Sequence, residues 1–105
     1  MPRWLPRVLA RIHRLAAEGK VRFTDKGRLE LEALELGLDE HDAADVLLGL
    51  TTAEFGGRVF SSETDESMYV FKPRIGGFPL YIKVVLRAVC LVVSFHEEGG
   101  DEDEV

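Results

Sequence analysis

The longest apolar stretch of the chain lies near its C-terminal end. Residues 80–86 and 89–95 are two runs rich in β-branched side chains, parted by Arg87-Ala88. Such runs around a short polar break predict two antiparallel strands. Arg-Ala is not one of the favoured primed turns. A two-residue loop there sets Leu86 opposite Val89, Val84 opposite Leu91, Ile82 opposite Val93 and Leu80 opposite Phe95. That face is wholly apolar and requires cover. The second face pairs Val85 with Cys90, Lys83 with Val92 and Tyr81 with Ser94, and ends near His96. It gathers a phenol, an ammonium, a hydroxyl and an imidazole on neighbouring rungs.

Upstream, the period is helical. Val8, Leu9, Ile12, Leu15 and Ala16 share one face of a predicted helix over residues 6–18, with Pro6 in its first turn and Gly19 as a stop. Arg3, Arg7, Arg11 and Arg14 form a stripe on the opposite face, read as a solvated surface. Residues 21–23 read as a short extended connector. Thr24 caps a second helix over 25–36, with Leu29, Ala33, Leu34 and Leu36 as its apolar side and Gly37 as its end. Asp39 caps a third over 40–50, with Ala43, Val46, Leu47 and Leu50 inward. Thr51 to Glu54 fits the capping-box spacing. From Arg58 the period becomes two, giving strands over 58–62 and 67–72 with a turn between them. Helices followed by strands predict an α+β fold, with about three N-terminal helices packed on one face of a mainly antiparallel four-stranded sheet.

Composition changes this picture in three places. At 105 residues the chain is one domain. Residues 97–105 hold six acids and no base, so most of the net charge of −6 belongs to an expected disordered tail, and residues 1–96 balance at 13 basic and 13 acidic side chains. Such a tail is expected to shield a basic site. The single cysteine, Cys90, sits inside an apolar strand and reads as a small buried hydrophobe, which excludes a disulfide framework and fits a reducing cytoplasm. No apolar run is long enough to cross a membrane, and the basic start lacks the apolar core of a signal peptide.

No phosphate-binding glycine motif is present. His13, His41 and His96 lack ligand spacing, so no metal site or cofactor is expected, and His13 and His41 read as solvated helix residues. Asp39, Glu40, Asp42 and Asp45 suit a helix start and read as structural. The second face of the hairpin remains. Tyr81, Lys83 and His96, with Lys72 and Arg74 on the preceding segment, are the group types that metal-free phosphodiester cleavage needs. A base takes the ribose 2′-proton, an acid protonates the leaving 5′-oxygen, and cations hold the phosphate. Imidazole suits either proton role near neutral pH.

Seven stretches in order carry a resemblance. They are Leu15-Ala-Ala-Glu-Gly-Lys-Val-Arg22, Glu35-Leu-Gly-Leu-Asp39, Val46-Leu-Leu-Gly-Leu50, Glu54-Phe55, Val70-Phe-Lys-Pro-Arg74, Tyr81-Ile-Lys83 and Val92-Val-Ser-Phe-His96. From Leu15 to Glu98 the chain resembles the motility quorum-sensing regulator (MqsR) toxins, RelE-like ribonucleases. The resemblance implies an mRNA-cutting toxin that works without metal and is restrained by a cognate antitoxin, with DNA contacted only indirectly through that partner. It places the family's catalytic tyrosine on Tyr81, its C-terminal catalytic lysine on His96 and its Lys/Arg-Pro-Arg segment on Lys72-Pro73-Arg74. Two positions depart. A family lysine aligns with Gly57, with Arg58 next door, and a family glutamine aligns with Met68. Arg58 is taken as the replacement cation. Catalytic roles are thus expected at Tyr81, His96 and Arg58, and phosphate binding at Lys72, Arg74 and Lys83.

A second class of function stands beside this one. RNA-binding proteins usually present a basic surface, and a neutral body with an acidic tail does not. The departures at Gly57 and Met68 point the same way, to a non-catalytic or degenerate interaction module on the toxin fold. Salt-sensitive RNA binding separates the two.

Overall fold

The first apolar stripe folds as α1 (Leu5–Ala17) and buries Leu5, Leu9, Ile12, Leu15 and Ala16. The structure, a computed structural model, describes residues 1–99. The four arginines of the opposite face are exposed, as the spacing predicts. Gly19 then takes a left-handed conformation (φ +73°), and the Lys20 N–H closes on the Leu15 carbonyl at 2.8 Å.

Residues 21–23 are not a connector. They form β1 (Val21–Phe23), which pairs in parallel with the first residues of β6 (Cys90–Glu97), Val21 opposite Cys90 and Phe23 opposite Val92. Three residues carry too little pattern to announce a strand; the ladder partner makes it one. Thr24 caps α2 (Asp25–Ala33), its hydroxyl accepting the Gly27 N–H at 3.0 Å.

The apolar side expected for α2 is used only in part, with Leu34 packed against the core. Leu31 and Gly27 are buried, whereas Leu29 and Leu36 are 60% and 39% exposed. The reason is Gly27. A Cβ at that position would lie 2.6 Å from the Val92 carbonyl oxygen, so the helix rests directly on the backbone of β6. The inward face is set by the residue with no side chain, which a count of leucines overlooks. The helix also stops at Ala33, short of Gly37, and the chain turns through Glu35 (φ +57°) and Gly37 (φ +74°).

Asp39 and Asp42 form a reciprocal capping box at the start of α3 (Glu40–Leu48). The Asp42 N–H donates to the Asp39 carboxylate at 2.8 Å and holds its pKa below the usual value. Ala43, Leu47 and Leu50 face the core, with Val46 half-buried. His13 is not a solvated residue. It is half-buried, and its Nε2–H donates to the Leu50 carbonyl at 2.9 Å, tying α1 to the end of α3. The expected capping box at Thr51 and Glu54 is present and opens a 3₁₀ turn over Thr52–Glu54.

The remaining strands are β2 (Phe55–Ser61), β3 (Glu66–Phe71), β4 (Arg74–Ile75) and β5 (Phe78–Leu86). Among the described residues the sheet has six strands, not four, in the order β1-β6-β5-β3-β2, with β4 on the start of β5. All pairs but β1–β6 are antiparallel.

The β5–β6 register differs from the two-residue loop expected for it. The loop is Arg87-Ala88-Val89, so Leu86 faces Cys90, Val85 faces Leu91 and Val84 faces Val92. A bulge then leaves Val93 unpaired, and Lys83 faces Ser94, Ile82 faces Phe95 and Tyr81 faces His96. Arg87 holds the loop by donating twice to the Glu66 carboxylate, at 2.8 and 2.7 Å. A one-residue change of register moves a whole strand's side chains to the other face. Cys90 and Val92 therefore join Leu80, Ile82 and Val84 in the core in place of Leu91 and Val93, and Phe95 lies in the core as expected, opposite Ile82 rather than Leu80. Cys90 is fully buried, and burial pushes its thiol pKa up to about 12. Glu97 closes β6, and the Glu98 N–H donates to the Pro79 carbonyl. Residues 100–105 of the expected acidic tail lie outside the described residues.

Candidate active site

The bulge at Val93 brings Tyr81 and His96 directly opposite each other on the sheet face turned away from α1 and α3. Their rings stack, with centroids 4.9 Å apart and planes 12° from parallel. They line a groove of about 740 Å³ between β5–β6 and α2. The His96 Nδ1–H donates to the Glu97 carbonyl at 2.8 Å. A carbonyl can only accept, so the neutral ring keeps its lone pair on Nε2, the nitrogen of a proton acceptor.

One rung further, Lys83 faces Ser94, which is 2% exposed. Lys26 of α2 donates to the Ser94 hydroxyl at 3.0 Å and pairs with Glu30 at 2.7 Å. Glu30 uses its other oxygen to accept the Phe95 N–H at 2.9 Å. Burial lowers the pKa of the half-buried Lys83 below the usual lysine value. The Lys26 cation pushes the same way, and Glu30 opposes. Phe78 and Leu34 supply apolar wall to the groove, and Glu97 adds a carboxylate at its rim. The arrangement combines an aromatic platform, a proton acceptor and a cation whose proton is loosened.

The structure brings together three of the six residues expected from sequence: Tyr81, His96 and Lys83. Lys72 follows Phe71, which pairs with Ile82, so it continues toward the Tyr81 rung, but its Nζ lies 3.5 Å from the Glu98 carboxylate. Arg74 turns back on its own loop and donates to the Gly77 carbonyl at 2.8 Å. Arg58 is on the other side of the sheet. It pairs with Tyr69, which pairs with the core residue Val84, and its guanidinium stands 4.9 Å over the Trp4 ring. Residue alternation explains this: Gly57 shares a face with Val70 and Lys83, and its successor must point the opposite way. A cation displaced by one residue in a strand is not a replacement for its neighbour.

Over residues 7–97 the chain matches the family model described as motility quorum-sensing regulator, toxin of MqsA. The chain belongs to this MqsR toxin family. It is also similar to a protein of Escherichia coli (strain K12) named mRNA interferase toxin MqsR, 29% identical over 92 residues that make up 86% of this chain and 91% of that one. Tyr81, Lys83, His96, Lys26 and Glu30 all fall within the part that matches the MqsR family.

Lys26, Glu30, Phe78 and Glu97 complete the groove of this MqsR-family chain and were not legible as site residues. Lys26 and Glu30 stand four apart behind an N-cap, a spacing that reads as an ordinary surface pair on a helix. Only the contact of α2 with β6 turns that pair toward Ser94 and Phe95. Among the described residues no group of three or more His, Cys, Asp or Glu side chains is arranged to hold a metal ion, and no helix is long and apolar enough to cross a membrane.

Proposed function

We propose that this chain is a metal-independent endoribonuclease toxin of RelE-like fold that cuts mRNA by attack of a ribose 2′-hydroxyl on the adjacent phosphate. The stacked Tyr81–His96 pair beside Lys83, in a chain of the MqsR family, carries the reading. His96 Nε2 takes the 2′-proton as the 2′-oxygen bonds to phosphorus. The bond from phosphorus to the 5′-oxygen breaks, and Lys83 supplies the proton that the leaving oxygen needs. A lysine held below its ordinary pKa is the better acid for that step. The Tyr81 hydroxyl hydrogen-bonds a phosphate oxygen, and Lys72 and Arg74 meet the backbone on either side. Lys72 must first leave Glu98, which makes that acid a competitor of RNA. Arg58 takes no part, since it faces Trp4. The protein partner is an antitoxin of the kind the family description names, and any DNA contact runs through it.

The test is cleavage of a long mRNA by purified protein in EDTA, with 5′ ends mapped. Discrete cuts are expected, and His96→Ala should slow them by about 10²–10⁴-fold at an unchanged melting temperature. Wild-type rates in folded His96→Ala overturn the assignment. A non-catalytic interaction module is the second reading. It is favoured by Gly57, which brings no cation to the groove face, and by the Glu97 carboxylate at the rim. A folded wild type that binds RNA weakly and cuts none selects it.

A further inference from the structure

The strand that carries His96 changes neighbours half-way along. From Cys90 to Val92 its outer edge is paired with β1. The Thr24 N–H makes the last backbone bond of that edge, to the Val92 carbonyl at 3.0 Å, and the chain then turns into α2. The Phe95 N–H points to the same outer edge and meets no strand there. Glu30 fills the place. One oxygen accepts the Phe95 N–H at 2.9 Å, and the other holds Lys26 at 2.7 Å, whose ammonium donates to the Ser94 hydroxyl. Ser94, Phe95 and His96 follow immediately after the unpaired Val93. The bulge interrupts the ladder at Val93, and a one-residue change of register beyond it would turn His96 away from Tyr81.

We propose that Glu30 is a positioning residue for the Tyr81–His96 pair: its carboxylate stands in for the missing strand and pins β6 beyond the bulge, in the register that stacks His96 on Tyr81. In this role Glu30 acts through the Phe95 amide and the Lys26 ammonium rather than on the reacting atoms. This deepens the ribonuclease reading and rests on it for its catalytic consequence, while the structural consequence is measurable without RNA.

Two variants separate the roles of the carboxylate. Glu30→Ala removes the acceptor for Phe95 and the partner of Lys26. Glu30→Gln keeps an oxygen for Phe95 and gives up the charge. In Glu30→Ala, kcat for RNA should fall by about 10–100-fold with a smaller change in KM, because a shift of about 1 Å at a reacting group costs on that scale. Glu30→Gln should stay within a few-fold of wild type. By NMR, the Phe95 amide should exchange faster in Glu30→Ala but not in Glu30→Gln, with amides of β2 and β3 unchanged in both. The His96 ring protons should lose the ring-current shift of the Tyr81 stack only in Glu30→Ala. A Glu30→Ala protein with wild-type kcat, a slow Phe95 amide and an unshifted His96 ring overturns the proposal, and so does a Glu30→Gln protein as impaired as Glu30→Ala. A wild type that cuts no RNA removes the ribonuclease reading instead, and the amide and ring readouts then decide the role of Glu30.

Discussion

The two halves of β6 belong to one strand and are held in different ways. From Cys90 to Val92 the outer edge is closed by a strand, backbone on backbone, and the side chains of Cys90 and Val92 are sealed in the core. From Ser94 to His96 the outer edge is closed by side chains of a helix, with Glu30 on the Phe95 amide and Lys26 on the Ser94 hydroxyl. The unpaired Val93 separates them. A backbone partner is available to almost any sequence and fixes a strand rigidly. A side-chain partner is specific, is lost by one substitution, and leaves the opposite face open as a groove. The groove lies on the helix-backed half, where His96 and Ser94 contribute to it.

The largest effect should come from the contact that seats α2, and with it Glu30 and Lys26, on β6. Gly27→Ala puts a methyl 2.6 Å from the Val92 carbonyl, so α2 has to lift from β6. Overpacking of this sort costs about 1–3 kcal/mol. In a domain of this size each kcal/mol lowers the melting temperature by about 4–8 °C. A thermal melt reads it directly, and an unchanged melting temperature would show that the two halves do not differ through this close approach.

A smaller effect is expected from Lys83, and it depends on pH. Its folded pKa lies below the ordinary lysine value of 10.5, so the unfolded chain binds more protons between those two values. The penalty for keeping Lys83 charged is complete below the folded pKa and disappears as pH rises toward 10.5. Lys83→Met should therefore melt above wild type near pH 7, with the gap closing as pH approaches 10.5. Cys90, raised from 9.0 to about 12, lowers stability above pH 9 in both proteins and cancels in the difference. A gap of constant size would mean that Lys83 is not strained by burial in the groove.

The smallest effect is an expected absence of change. A thiol reagent at pH 8 should modify Cys90 only as fast as the whole protein unfolds, because the strand-backed half buries it fully and holds its thiol protonated. Rapid labelling of folded protein would show that this half opens locally and would erase the contrast with the groove side.

Much of this architecture was legible in the sequence where the signals are local. The caps at Thr24, Asp39 and Thr51 are made by the residues expected to make them. The inward faces of α1 and α3, and Leu80, Ile82 and Val84 on β5, were also read correctly. The candidate site was legible in part. Tyr81, Lys83 and His96 stood out by chemical type on one strand pair and line one groove, whereas Arg58 lies on the other sheet face and Lys26 and Glu30 gave no sign of facing β6.

The sequence alone determined where the helices begin and which chemical groups the hairpin carries. These depend on residues within four positions of one another, through spacing, caps and propensity. Tertiary structure decided that residues 21–23 are a strand, that α2 rests on Gly27, that the loop has three residues, and that Val93 bulges. Each of those depends on a partner far along the chain. A strand's side chains alternate with period two, so the partner's register decides which of them meet. That register placed His96 over Tyr81.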